Sequence, residues 1–399
     1  MLVLALSYCT KQEEVAAIPP PLFEDPAGTE PELSSKAARA ASSEMFGLPG
    51  NSAEPFVQKL STSLPLHIGD EYMMPLRPDL SYPVTVKEWS RASNSGTVTV
   101  FAMKDEQFGQ AILSSSEAGL SGTVNVNGQM FLITPIGNGL HRIDEVNVFR
   151  LPDDDPPIDD DDDLKPLDPP VEVDDDFRVL LVFTRDLRGF CQQAGHVGEY
   201  EKRLQLAMQS VGITTPITVV AYCSEIRSVP GDLRNQLKLI ATSSDIRARR
   251  AAAKADLVSL IANDGDQCGV AYYTRRPTAS SRHRGFSVVH FDCARINESF
   301  VHEIGHNLGL LHDRASTATT STDCNHGYFV SNPQGTQFTD RTIMSLKSSV
   351  CPNCVRVLTF SDFAKGHGVP CTDAVNGTHG PADNAVEIQL PFEVARRFY

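Results

Sequence analysis

The stretch "HEIGHNLGLLHD", His302 to Asp313, spaces three histidines and one glutamate through an otherwise apolar run. On a helix, His302 and His306 lie four residues apart and project from one face about one turn from each other. Two neutral imidazoles at that separation can share one zinc ion. Glu303 then stands beside the ion rather than on it, where its carboxylate can take a proton from an activated water. Gly309 can adopt a positive φ that ends the helix and turns the chain back. That turn brings His312 round as a third ligand, which continuous helical spacing would not do. Three protein ligands leave a fourth position for water, as a hydrolytic zinc requires and a structural zinc does not. A surface helix with incidental His and Glu would account for HExxH alone. The longer string HExxHxxGxxHD sets six positions, each with a mechanical role.

Alternating strands and helices surround these residues. "FRVLLVFT" from Phe177 reads as a buried strand, "GEYEKRLQLAMQSVGI" as a helix and "ITVVAYCSEI" as a second strand. A long helical stretch is expected from about Asp232 to Ile261, then short strands at "CGVAYY" and "FSVVHFDC". Asn297 can cap the motif helix through its side-chain oxygen. This pattern implies an α/β (α+β) layered domain over residues 177–399. Ahead of it, residues 46–150 read as a small, mostly β domain, with Asn127-Gly128 as a two-residue hairpin signal. Residues 1–45 form an apolar start and a Pro/Ala/Ser/Glu-rich leader expected to be flexible. Residues 151–176, "LPDDDPPIDDDDDLKPLDPPVEVDDD", read as an acidic linker in which like charges repel and prolines forbid regular structure. That stretch lacks the glycine and terminal glutamate of an EF-hand loop.

Charge and cysteine divide unevenly. Residues 1–176 hold 11 Lys/Arg against 30 Asp/Glu, and residues 177–399 hold 24 against 20. Eight of the nine cysteines fall in the second half: Cys191, Cys223, Cys268, Cys293, Cys324, Cys351, Cys354 and Cys371. An even set of this size suggests up to four disulfides and an oxidising compartment. "CPNC" at Cys351 to Cys354 has the CxxC spacing of a metal site, but a second such pair at zinc-ribbon distance is missing. "MLVLALSYC" is an incomplete export signal, with a lipoprotein cysteine at Cys9 as the alternative. No apolar run approaches the ~20 residues of a spanning helix. Secretion is therefore expected, with an N-terminally anchored or periplasmic protein as alternatives.

The motif resembles that of the metzincin metalloendopeptidases. "TIMSL", Thr342 to Leu346, looks like their methionine turn with Met344 as its methionine, and Asp313 after the third histidine is similar to the adamalysin/reprolysin branch. Leu346 stands where branches with a fifth, tyrosine ligand carry Tyr, so three protein ligands plus water are inferred. "DLVSLIANDGDQCGVAYY", "FSVVHFDCARINESFVHEIGHNLGLLHD" and "RVLTFSD" with "ADNAVEI" and "VARRF" together look like bacterial reprolysin-like proteases, including the peptidyl-Asp metallopeptidases. The resemblance covers most of residues 177–399. It implies a metzincin-type mixed sheet, a Zn2+ cofactor, and a secreted monomeric endopeptidase with protein or peptide substrates. No nucleic-acid partner is expected.

Residues 1–176 would then be a propeptide acting as an intramolecular inhibitor. Some metzincin propeptides hold latency with a cysteine on the zinc, but residues 10–176 contain none. Latency must come from another donor, such as a carboxylate, or from steric cover. The family pairs an extended substrate with an edge strand, for which Phe286 to Asp292 is the candidate. Just upstream, Arg275, Arg276, Arg282 and Arg284 form either a solvated basic loop or a rim attracting acidic substrate side chains. The acidic linker could match that rim in charge, and its exposure would suit activation by cleavage. A catalytically dead binding module and a surface protein with a structural zinc are the competing readings.

Trp89 is the only tryptophan in the chain. If activation cuts near residue 176, the active species is expected to lack tryptophan emission. An active species that keeps this fluorescence would contradict cleavage there.

Overall fold

A computed structural model describes residues 19–24, 56–60, 66–91, 96–117, 119–159, 176–193, 195–229, 231–317, 322–332, 335–375 and 380–399. Cys9, most of the leader and residues 160–175 of the acidic stretch lie outside these residues.

The N-terminal half is one antiparallel sheet. Its strands are β1 (Phe23–Glu24), β2 (Phe56–Leu60), β3 (Glu71–Arg77), β4 (Leu80–Arg91), β5 (Thr97–Met103), β6 (Gln110–Ser116), β7 (Gly119–Val126), β8 (Gln129–Gly137) and β9 (Leu140–Val146). They run in the order β1-β2-β9-β8-β7-β6-β5-β4-β3. Asn127 and Gly128 turn β7 into β8 with φ of 50° and 70°, as the hairpin signal implies. Asn138-Gly139 makes a second turn of the same kind between β8 and β9. Leu22 and Phe23 are buried in the core of this sheet, so at least this part of the leader is anchored by apolar burial.

The C-terminal half is built on a mixed sheet of β10 (Phe177–Phe183), β11 (Ile217–Cys223), β12 (Leu257–Ala262), β13 (Gly269–Ala271) and β14 (Phe286–His290), in the order β11-β10-β12-β14-β13. The first four strands are parallel and β13 is antiparallel to β14. One face is covered by the helix His196–Ser210 and the motif helix Ser299–Asn307. The other carries the helices Leu233–Thr242 and Ser244–Ala253. A small third sheet joins β15 (Phe329–Ser331), β16 (Phe338–Arg341) and β17 (Val355–Arg356). Four disulfides staple this half: Cys191–Cys223, Cys268–Cys293, Cys324–Cys371 and Cys351–Cys354. Among the described residues, no helix is long and apolar enough to cross a membrane.

Three expectations are corrected. The stretch from Asp232 to Ile261 is two helices and a strand. Ser243 is extended, with ψ 123°, and its side chain caps the second helix at the Ile246 amide. Lys254, at φ 51°, ends that helix, and the apolar run from Leu257 is buried on both faces as central strand β12. Phe286–His290 is not an edge strand, because β13 covers it, and the outermost strand of the sheet on that side is Gly269–Ala271. Asn297 does not cap the motif helix. Its side-chain oxygen accepts from Arg341 Nη2 at 3.0 Å, and Glu298, in the left-handed region at φ 53°, holds the cap position.

Two kinds of contact join the halves. Met130, Leu132, Val146, Val148 and Leu151 share a core with Ile296, Val355 and the Cys268–Cys293 bridge. Beside it, Glu199 is fully buried. Its carboxylate accepts from Ser114 Oγ at 2.6 Å and Ser121 Oγ at 3.1 Å in the N-terminal sheet, and from Arg295 Nη2 at 3.1 Å. Burial alone would raise its pKa, but the Arg295 guanidinium, with help from His196 and Ser114, holds it at about 2. A depressed acid contributes stability above its ordinary pKa of about 4.3 and loses it as pH falls from there through the folded value. Glu199→Gln is expected to cost on the order of 3 kcal/mol at pH 7. It should also flatten the fall in melting temperature between those two pH values, which thermal unfolding across that range would measure.

Candidate metal centre and cleft

The motif helix is buried along its whole length, and it sets His302, Glu303 and His306 toward the β13 edge. Gly309 follows at φ 82°, and a Cβ there would lie 2.7 Å from Arg275 O, so only glycine fits this turn. The returning chain places His312 Nε2 3.1 Å from His302 Nε2 and 3.0 Å from His306 Nε2. The three imidazoles that the spacing predicts are thus brought together.

Their hydrogen bonds decide what they can hold. His302 Nδ1 donates to Ile343 O at 2.7 Å and His306 Nδ1 donates to Leu310 O at 2.8 Å. A carbonyl only accepts, so each Nδ1 carries the hydrogen and each Nε2 turns a lone pair inward. One hydrogen on His312 Nε2 could not serve both neighbours. Burial, then the charge of Arg356 and the other two imidazoles, keeps His302 well below its usual pKa. Burial likewise holds His306 at about 4 and, with the charge of His306, depresses His312. Three neutral imidazoles converging on one point are the donor set of a divalent transition metal such as zinc.

Glu303 lies beside this cluster, fully buried, and neither carboxylate oxygen has a hydrogen-bond partner in the described structure. Burial first, then the negative charge of Asp154, push its pKa well above the usual carboxylate range. Beneath the cluster, Met344 is fully buried, its sulfur against Gly305. Asp313 ties the third histidine to the methionine turn: its carboxylate accepts from Leu346 N at 2.9 Å and from Ser316 N at 3.0 Å.

Residues 189–358 match the Reprolysin_5 family model, metallo-peptidase family M12. The chain is a zinc metalloendopeptidase, similar to the metzincin-like M12 metallopeptidases. This metallopeptidase is 26% identical over 312 residues to a peptidyl-Asp metalloendopeptidase of Stenotrophomonas maltophilia (strain K279a), covering 72% of this chain and 70% of that one. It is 28% identical over 274 residues to the protein of the same name from strain R551-3, covering 62% of each chain. The crystal structure of metalloproteinase-II from Bacteroides fragilis aligns with a TM-score of 0.41 at 12% identity, over 61% of this chain and 81% of that one.

The four arginines of the metallopeptidase's basic loop separate. Arg275 is exposed and paired with Asp323, and Arg276 is exposed beside it. Arg284 donates to Asp159 O in the acidic stretch. Arg282 is half-buried, with its carbonyl accepting from Arg250 Nη1 at 2.9 Å. They do not converge on the histidine cluster.

Three residues at the site were not anticipated. Asp154 is buried, with Oδ2 3.9 Å from His302 Nε2, and its carboxylate forms one tight group with His302 and Glu303. Arg356 Nη1 donates to that same oxygen at 2.8 Å. Gly269, on β13, faces Glu303 so closely that a Cβ would lie 2.5 Å from Oε1. Only the "CGVAYY" strand signal marked this glycine, and no local pattern tied Asp154 or Arg356 to the motif. Gly269→Ala is expected to push Glu303 aside and lower turnover about 100-fold, within the range for losing a general base. Zinc content, measured on the same preparation, should stay at the wild-type level, because all three histidines lie beyond the added methyl.

Proposed function

We propose that the chain is the proenzyme of an extracellular zinc endopeptidase that favours acidic residues beside the scissile bond. The observation that carries this reading is the convergence of the Nε2 atoms of His302, His306 and His312 beside a buried Glu303.

His302, His306 and His312 would hold the zinc, which when bound supplies a Lewis acid that acidifies a water and polarises the scissile carbonyl. Glu303 would take the water's proton on a carboxylate oxygen and deliver it to the leaving amine. The β13 edge would orient the substrate by main-chain pairing. Asp313 would act as a positioning residue, holding the methionine turn under the cluster.

Support for the proenzyme reading lies on the same edge. The first part of the acidic stretch is not the solvated linker its composition implies. Asp155 N donates to Gly269 O at 2.8 Å, Ile158 N to Ala271 O at 2.9 Å, and Tyr273 N to Ile158 O at 2.9 Å. Ile158 pairs parallel with Tyr272, so the segment lies on β13 as an added strand where a substrate would pair. Asp154 closes the group around His302 and Glu303, a carboxylate in the place the missing cysteine leaves to another donor. The four disulfides support an oxidising, extracellular compartment. The name of the relatives supports the acidic preference.

The test is casein hydrolysis by the zinc-loaded chain after processing, with and without a chelator. Glu303→Ala is expected to bind zinc at wild-type stoichiometry yet lose at least about 100-fold in activity. Full activity in a folded Glu303→Ala protein would refute the mechanism.

A further inference from the structure

Arg356 lies in β17, just after the methionine turn, and its side chain is fully buried. Nη1 donates to Asp154 Oδ2 at 2.8 Å and to Asn297 O at 2.8 Å, and Nη2 donates to Ser345 O at 2.9 Å. Asp154 is the one carboxylate paired with it among the described residues. Arg341 is buried alongside and donates to Asn297 Oδ1 at 3.0 Å, Cys354 O at 3.3 Å and Ser345 O. It pairs with no carboxylate among the described residues. Two guanidinium charges therefore lie in one buried pocket with Asp154 as the paired carboxylate, while Asp153 and Asp313 act on Arg341 through charge without an ion pair.

Backbone carbonyls satisfy N–H groups without neutralising them, and a buried charge left unpaired costs several kcal/mol. The pocket therefore demands a carboxylate. The one it has is carried by an extended segment lying on the edge strand, as a bound peptide would lie. Its oxygen sits 3.9 Å from His302 Nε2, so whatever fills this place lies at the reacting centre.

We propose that Arg356, backed by Arg341, selects an aspartate side chain next to the scissile bond, and that Asp154 holds that place in the full chain. When the acidic segment leaves, the buried guanidinium of Arg356 loses its counter-charge, and a substrate carboxylate restores it. Glutamate, one methylene longer, overfills a position shaped around Asp154. The exposed Arg275 is already paired with Asp323, and solvent screens it, so it discriminates little. This assignment rests on the endopeptidase reading and names the residue that determines its specificity.

Two experiments test it. In the first, Asp154→Gly is made in the zinc-loaded full chain, and melting temperature is read in acetate against chloride at equal ionic strength. Acetate is expected to stabilise this variant more than wild type, and to give no such gain in Asp154→Gly/Arg356→Met. An equal gain in both variants, or none in either, overturns the pocket. In the second, the processed enzyme is assayed on quenched peptides that carry Asp, Asn, Glu or Leu beside the scissile bond. Arg356→Gln is expected to lower the Asp-to-Asn ratio of kcat/KM about 100-fold, the scale for losing a buried charged partner. Arg356→Lys should recover part of it. Equal losses on all four peptides overturn the assignment. A wild-type enzyme inactive on every peptide would sink the endopeptidase reading, while the acetate experiment would still decide whether the pocket takes a carboxylate.

Discussion

The inward lone pairs of His302 and His306 each lie within 3.1 Å of His312 Nε2, in a buried pocket, and one hydrogen on His312 cannot satisfy both, so a cation between the three rings is the arrangement that does. Much of the C-terminal half serves to hold that arrangement. The carbonyls of Ile343 and Leu310 fix the tautomers of His302 and His306. The turn at Gly309 returns His312, and Asp313 ties it to the turn that buries Met344. The strength of the site lies in these outer bonds. They orient the three imidazoles, and so would reduce the ordering that binding a metal must impose.

Charge is arranged around the cluster in alternating sign. The imidazoles ask for a cation, Glu303 lies beside them as an unpartnered acid, and Asp154 and Arg356 form a buried pair next to both. Neither member of that pair would be stable alone at such depth. The pair joins the acidic stretch to the domain that follows it, much as Glu199 joins Ser114 and Ser121 of the N-terminal sheet to Arg295. The two halves therefore meet through buried polar groups, set beside the apolar contact of Met130, Leu132 and Val355. Charged joints of this kind lose much of their stability once one partner leaves or is exposed to solvent.

Much of the site was legible in the sequence because its logic is local. HExxHxxGxxHD encodes helix period, turn and metal chemistry within twelve residues, and Asn127-Gly128 encodes a hairpin within two. The misreadings share a cause. Leu257–Ala262 was merged into a helix because an apolar run buried on both faces has no period to betray it. Phe286–His290 reads as an edge in the sequence because strand order is a matter of which chain segments meet, and β13 is only three residues long. Asn297 has the chemistry of a cap, but Arg341, forty-four residues away, claims its oxygen.

The sequence by itself determined the grouping of three histidines and one glutamate, the even set of eight cysteines in one half, and the break between an acidic half and a mildly basic one. Each rests on residue type and short spacing. Only the tertiary structure decided which of many aspartates reaches the histidines and which arginine faces it. Within "DDDPPIDDDDD" the residues are chemically equivalent, and Asp154 differs from its neighbours only because pairing along β13 turns its side chain inward, 202 residues from Arg356. That selection is made by register and burial, which local sequence does not encode.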